Sequence, residues 1–439
     1  MDGMYRQVMS RLRVWKQSDQ RKPLLLEGAR QVGKTWTLRE FGRQEYARVA
    51  YFNFEETPSL AGLFAGDIDI RRLLGQLQIE TGTQITPGDT LIVFDDIQEC
   101  PRALTALKYW HERANQYHVA CAGSLLGVAL HQQSSFPVGQ VWFQPVRPLS
   151  FAEFLDAIGQ SGLQAALEAR DWASLRPFHE RLVSHLRDYL FSGGMPEAVA
   201  AFAATSDYSQ VRQIQLDILQ AYDRDFSKHA PTEQVPRLRQ VWQAVPAQLA
   251  KEQTRFAYSV LKPGARSRTH QTAIDWLTQA GVIVQVRRVG VPRLPLSAYF
   301  DPAFKLYLLD VGLLGALAGL SPATVVRGNQ LFTEFSGALT EQYVAQELLA
   351  AFSSVPSYWT NGGGTAEVDF VVARGEQVIP IEAKATVNLK AQSLRIYREK
   401  YSPPLAIRAS LHLFQRHDGL IDLPLYAVMT IPSLDADEA

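Results

Sequence analysis

Leu24-Leu25-Leu26-Glu27-Gly28-Ala29-Arg30-Gln31-Val32-Gly33-Lys34-Thr35-Trp36 is the stretch that decides the fold. The three leucines predict a short buried strand. Gly28, Gly33, Lys34 and Thr35 then satisfy G-x-x-x-x-G-K-[ST], the phosphate-binding loop. Trp36, Leu38 and Phe41 follow at helical spacing, and strand, glycine loop and helix in that order are the context the motif requires. The two glycines let backbone N–H groups of Gly28, Ala29, Arg30, Gln31, Val32 and Gly33 close around phosphate oxygens, and the helix N-terminus adds positive potential. Lys34 is expected to reach the β- and γ-phosphates, and the Thr35 hydroxyl to ligate Mg²⁺, with Trp36 completing the first turn. The stretch therefore predicts a nucleoside triphosphate site, with ATP as the ligand.

The 439-residue chain is too long for one ordinary core, so two to four domains are expected. A hydrophobic fraction of 46% with 20% charged residues belongs to a folded, soluble protein. With 44 basic and 44 acidic residues, a uniformly basic surface is excluded and only local patches remain. Cys100 and Cys121 alone cannot build a disulfide framework or a four-cysteine zinc site, so a reducing, cytoplasmic setting is expected. Residues 1–16 carry arginines without an apolar core, unlike a secretory signal. The apolar stretches near Val119–Leu130 and Leu306–Leu320 are too short or too interrupted to span a bilayer.

Upstream of the loop, Met4, Val8, Leu12 and Trp15 share one face of an expected helix over residues 1–20. Downstream, Thr90-Leu91-Ile92-Val93-Phe94-Asp95-Asp96 reads as a buried parallel strand with carboxylates at its C-terminal end, where open α/β sheets bind ligands. Asp95 is expected to hold Mg²⁺, and Asp96 to orient or deprotonate the attacking water. Val119-Ala120-Cys121-Ala122-Gly123-Ser124 predicts another buried strand, with Ser124 placed either to sense the γ-phosphate or as a plain strand-end serine.

Gly28–Thr35, Phe94-Asp95-Asp96-Ile97-Gln98, Ala122-Gly123-Ser124, Pro148-Leu149-Ser150-Phe151-Ala152-Glu153-Phe154 and Gly193-Gly194-Met195-Pro196-Glu197 together resemble a family of bacterial and archaeal AAA-type ATPases. Members carry a C-terminal domain of unknown function related to the PD-(D/E)XK nuclease superfamily. The resemblance implies a helical lid over residues 161–230 and a ring oligomer, a hexamer, in which a neighbour completes the ATP site. The chain departs from the family in two places. Asp95-Asp96 stands where Asp-Glu is usual, so the presumed base is one methylene short. Gln140 follows Gly139 where a basic residue is common, leaving Arg147 as the fallback cation.

From 231 to 293 the character changes. Helices are expected over Pro236–Lys251 and His270–Ala280, with a short one between them, and a strand over Val282–Arg288. Three helices followed by a hairpin read as a winged helix-turn-helix. Ten basic residues against three acidic ones in this window make the footprint of phosphate binding. Arg266, Arg268, His270, Arg287 and Arg288 are the expected DNA contacts, although such modules also serve as protein–protein spacers.

Beyond 301, a long helix over Leu331–Phe352 precedes two alternating strands, 367–372 and 377–384, joined at Arg374-Gly375-Glu376. Asp369, then Glu382 and Lys384, match the D…E-x-K constellation of the nuclease superfamily, and Glu341 matches its additional acidic position. Glu382 and Lys384 lie two apart and so share a strand face. The resemblance implies one or two Mg²⁺ ions on Asp369 and Glu382, with Lys384 activating water.

The expected fold class is α/β. It comprises a phosphate-loop AAA-type parallel-sheet ATPase domain (1–160), a helical lid (161–230), a winged-helix-like domain (231–300) and a restriction-endonuclease-like α/β domain (301–439). The expected activity is ATP hydrolysis that moves or remodels DNA, branched DNA included, with a possible metal-dependent nuclease activity. The alternative is an ATP-dependent regulatory switch that binds a protein partner and carries a catalytically inactive nuclease-like domain.

Overall fold

A computed structural model describes residues 4–124, 139–251, 255–261, 264, 266–322, 335–352, 354–362, 364–385 and 392–434. The end of the apolar stretch to Leu130 and the start of the expected helix at Leu331 lie outside the described residues. The chain forms two compact units. One holds Arg6–Arg147 with Gln279–Gly281, and the other holds Met1–Tyr5, Pro148–Thr278 and Val282–Ala439.

The first unit is built on five strands: β1 (Leu24–Gly28), β2 (Arg48–Asn53), β3 (Thr90–Asp95), β4 (His118–Ser124) and β5 (Trp142–Pro145). They lie side by side in the order β2-β3-β4-β1-β5, with every pairing parallel. All six residues of β3 are buried, as both faces of a parallel sheet are when helices cover them. Leu25, Phe52, Phe94, Leu107 and Trp110 form the centre of that packing. Sequestering each such side chain contributes roughly 1.5–3 kcal/mol. The N-terminal helix is Val8–Gln17, shorter than expected, and buries Val8, Met9, Leu12 and Trp15. The register sets Gly28 beside Ser124 and Asn53 beside Asp95, so the C-terminal ends of four strands gather the polar residues.

The second unit starts as a helical region. Ser150 caps Phe151–Ala157 in a reciprocal box with Glu153, and helices His179–Ser192, Pro196–Thr205 and Tyr208–His229 follow. The sheet has eight strands: β6 (Ile283–Val289), β7 (Phe300–Leu308), β8 (Ser357–Thr360), β9 (Glu367–Arg374), β10 (Gln377–Ala383), β11 (Ala406–Ser410), β12 (Gln415–His417) and β13 (Leu420–Pro424). Their order is β12-β13-β11-β10-β9-β8-β6-β7, and pairings of both senses occur.

The expected hairpin lies at the edge of this sheet, because β6 pairs antiparallel with β7 and parallel with β8. The residues expected for the lid, the winged helix and the nuclease-like domain group in one compact unit. A buried polar knot ties parts of it together. Gly194 N–H donates to the Asp310 carboxylate at 2.6 Å, and Leu149 N–H donates to Gly194 O at 2.6 Å. Gln346 Nε2 donates to the Tyr189 hydroxyl at 2.8 Å, and that hydroxyl donates to Leu149 O. The Pro148–Phe154 and Gly193–Glu197 runs are thus pieces of one structural join.

Candidate functional sites

The nucleotide loop leaves β1 at Gly28 and enters the helix Lys34–Glu45 through Gly33, which has φ 93°. Lys34 Nζ is turned back onto the loop, donating to Ala29 O at 2.7 Å and Gly28 O at 3.0 Å. Burial lowers its pKa to about 8, against the opposing charges of Asp95 and Asp96; Arg30 adds to the lowering. Gln31 has φ 64° and is exposed, Val32 and Ala29 are buried, Thr35 is exposed, and Trp36 is half-buried.

Asp95 is only 2% exposed at the end of β3. Its carboxylate accepts from the Tyr51 hydroxyl at 2.7 Å and from the Asp96 N–H at 3.1 Å. Asp96 sits in the left-handed region at φ 49°, and its carboxylate accepts from Asn53 Nδ2 at 3.3 Å and Gln98 Nε2 at 3.2 Å. The Arg39 guanidinium lies 4.1 Å from the Tyr51 ring centroid. Ser124 ends β4 level with Gly28. Thr35 and Asp95 present oxygen donors only, the set that hard Mg²⁺ takes, so the residues present fit that ion.

Several of these residues are not marked by the motif. Arg6 is buried, and its guanidinium donates to Val32 O at 3.2 Å and Arg147 O at 2.7 Å, tying the loop to the chain after β5. Tyr51 and Asn53 follow from the alternation of β2 once its pairing with β3 is known. Arg147 is half-buried beside Glu27, its pKa lowered first by burial and by Arg11 while Glu27 opposes.

On the eight-stranded sheet, the register of β9 and β10 brings Asp369 against Glu382, and Asp369 Oδ2 accepts from Ala383 N–H at 2.8 Å. Glu382 Oε1 pairs with Lys384 Nζ at 2.7 Å. Glu341, on helix Ser336–Ala351, joins them electrostatically. Burial and then Glu341 push the Asp369 carboxyl well above its ordinary range, with Lys305 opposing and Glu382 adding. Against the lowering effect of burial, Glu382 holds Lys384 above its ordinary range.

Three residues here were not anticipated. Lys305 Nζ lies 2.5 Å from Glu367 Oε1 and 3.3 Å from Glu341 Oε2, and the Tyr307 hydroxyl donates to Glu341 Oε2 at 3.0 Å. Each belongs to an i, i+2 pair on one strand face: Lys305 with Tyr307, and Glu367 with Asp369. Among the described residues no group of three or more His, Cys, Asp or Glu side chains is disposed to hold a metal ion. Asp369 and Glu382, the residues expected to hold Mg²⁺, lie in an acidic cluster that Lys305 and Lys384 already partly neutralise.

The expected DNA contacts separate. Arg266, Arg268 and Arg287 are exposed. His270 is 1% exposed, with its ring facing Gln240 Oε1 at 3.1 Å and Thr269 Oγ1 at 2.8 Å, so it is a core histidine and cannot touch a duplex. Arg288 is bound to Asp301 Oδ2 at 2.6 Å and to Thr360 Oγ1 at 3.3 Å, which spends its charge within the sheet. Arg239 is likewise paired with Asp223, at 2.6 and 2.8 Å. A cleft of about 730 Å³ opens beside Arg255 and Arg287, with Phe256, Tyr258, Gln271 and Phe304 in its lining.

Fold and loop agree with the comparison: residues 20–155 match a family model described as an AAA domain. Two further models match, each a domain of unknown function, DUF8612 over residues 183–324 and DUF4143 over residues 336–428. No curated protein matches the chain. Among solved structures, the chain is similar to the Aeropyrum pernix Orc1 protein in complex with DNA, at 13% identity over 73% of this chain and 92% of that one, with a TM-score of 0.27. Cdc6p from Pyrobaculum aerophilum is 12% identical over 73% and 92%, with a TM-score of 0.28. The Thermotoga maritima RuvB Holliday junction branch migration motor is 13% identical over 67% and 91%, with a TM-score of 0.30. Scores this low make no case for a shared function. Among the described residues, no helix is long and apolar enough to cross a membrane.

Proposed function

We propose that this chain binds and hydrolyses ATP to move or remodel DNA, branched DNA included, as a ring-forming homo-oligomer of six copies. The observation that carries the reading is the phosphate loop, with Lys34 held on loop carbonyls that a triphosphate can replace and Asp96 directly after the C-terminal end of β3, two strands from β1 in the same sheet. On arrival of ATP, Lys34 turns from Gly28 O and Ala29 O to the β- and γ-phosphates, and the loop N–H groups close on phosphate oxygens. Thr35 and Asp95 would hold Mg²⁺, which offsets phosphate charge when bound. Asp96 orients and deprotonates the attacking water, while Ser124 registers the γ-phosphate.

The DNA part rests on the exposed arginines Arg266, Arg268 and Arg287, with Arg255 along the cleft. Such side chains neutralise phosphates without reading sequence. Turnover measured with and without duplex and branched DNA tests the proposal, with Lys34→Ala as the control. Stimulation by DNA supports it, and turnover indifferent to DNA rejects it.

A second reading is favoured by one observation, the Lys305 ion pairs inside the acidic cluster. They speak against metal-dependent cleavage there, and so for a domain that binds rather than cuts. In that reading ATP gates a protein partner, and DNA leaves turnover unchanged.

A further inference from the structure

The acidic cluster of the eight-stranded sheet already contains a cation. Glu341, Glu367, Asp369 and Glu382 converge from one helix and two strands, a density of carboxylates that needs a counter-charge. Lys305, on β7, is 5% exposed, and its ammonium contacts Glu367 at 2.5 Å and Glu341 at 3.3 Å. Lys384 serves Glu382 from the other side at 2.7 Å. Glu382 is 3% exposed, and its second oxygen has no hydrogen-bond partner among the described residues; the second oxygen of Glu367 is in the same position. The carboxylates therefore exceed what the two lysines satisfy, and among the described residues no three of them are disposed to hold a metal ion together.

We infer that Lys305 is the resident cation of this cluster, standing in place of a divalent metal, and that the cluster takes up such an ion only when Lys305 is removed. The lysine is tethered to an edge strand and cannot exchange with solvent, so its local concentration greatly exceeds that of a free ion. A point charge with three donors can satisfy two carboxylates at once, whereas Mg²⁺ demands near-octahedral oxygen ligands. Replacing the ammonium with an uncharged chain of similar length leaves carboxylate oxygens that a divalent ion can gather.

Titration of the nucleotide-free full chain with Mn²⁺, followed by calorimetry and by the electron paramagnetic resonance signal of free Mn²⁺, tests this. Wild type is expected to bind no stoichiometric ion, and Lys305→Met to gain one site per chain. Lys305→Met combined with Asp369→Asn is expected to lose that site again. A stoichiometric site in wild type that Asp369→Asn abolishes would overturn the inference, as would a folded Lys305→Met that binds nothing. Lys305→Met/Glu367→Gln, which removes both charges of the closest pair, provides a second folded background should the single variant fail to fold. None of these outcomes depends on ATP turnover, so the ATPase reading stands or falls separately.

Discussion

Phe151 N–H donates to Glu347 Oε1 at 2.9 Å, joining residues 196 positions apart in a fully buried setting. Burial raises the Glu347 pKa from 4.5 to about 8, against the lowering effect of that hydrogen bond, and the charge of Glu153 adds to the rise. The folded state therefore holds the proton more tightly than the unfolded chain. Its contribution to stability is complete below the unfolded pKa and is lost as pH rises through about 8. Glu347→Gln keeps an acceptor for Phe151 without the titration. Its melting temperature is expected to match wild type near pH 5 and to exceed it at pH 9, by roughly 2–4 °C for each kcal/mol. Parallel Tm curves for the two proteins between pH 5 and pH 9 would remove Glu347 as the source.

Lys34 titrates in the opposite sense. In the nucleotide-free site its pKa is lowered to about 8, chiefly by burial. A triphosphate favours the charged amine, so binding draws in a proton above that pH. Affinity for ATP is expected to weaken as pH rises from 7.5 to 9.5 in wild type. It should stay flat in Lys34→Arg, whose guanidinium remains charged. Calorimetry in buffers of different ionisation enthalpy reads the proton directly, and uptake of none at pH 8.5 would contradict the assignment.

In the proposed reaction Asp96 carries the hydrolytic role. Asp96→Asn is expected to leave ATP binding within about twofold while cutting kcat by on the order of 10²–10⁴. Asp96→Glu, which restores the missing methylene, should raise kcat above wild type. A loss of binding in Asp96→Asn equal to its loss of turnover would make the residue a structural support of the loop.

Glycine is required at two loop positions for different reasons. A Cβ on Gly28 would lie 2.3 Å from Val146 O, and Gly33 holds φ 93° at the helix entrance. Gly28→Ala forces the chain after β5 to move, and Gly33→Ala costs about 1–3 kcal/mol of backbone strain. Both are expected to lower the melting temperature and weaken ATP binding, measured by thermal shift with and without nucleotide. Wild-type values in either variant would show the loop to be more plastic than its geometry.

Much of the nucleotide site is legible in the chain because its chemistry is local. Gly28 to Thr35 lies in one contiguous run, and Asp95-Asp96 ends an unbroken apolar strand. Arg6 was missed because nothing in an amphipathic helix start signals a side chain turned inward onto Val32 O. The second unit was harder to read because its contacts are long-range. Asp310 and Gly194 look like an ordinary strand end and an ordinary glycine break until 2.6 Å separates them. The strand expected over Val282–Arg288 is β6, but its antiparallel partner β7 begins only at Phe300 and its parallel partner β8 lies some seventy residues on. His270 illustrates the limit of residue type, since a histidine among arginines suggests a contact while Gln240 and Tyr258, from other elements, pack against its buried ring. Lys305 was invisible for the same reason: its acids come from a helix and a strand that only folding brings to it.

The central claim is that ATP turnover serves work on DNA. The direct measurement is steady-state ATP hydrolysis by the full chain across a salt series, without DNA and with duplex or four-way-junction DNA, for wild type, Lys34→Ala and Arg266→Ala/Arg268→Ala. The account predicts stimulation by DNA that falls steeply with salt. It also predicts none in Lys34→Ala, and a shallower salt slope with weaker stimulation in the double arginine variant, whose basal rate is unchanged. Equal turnover with and without DNA at low salt, in a protein that binds ATP normally, would contradict it.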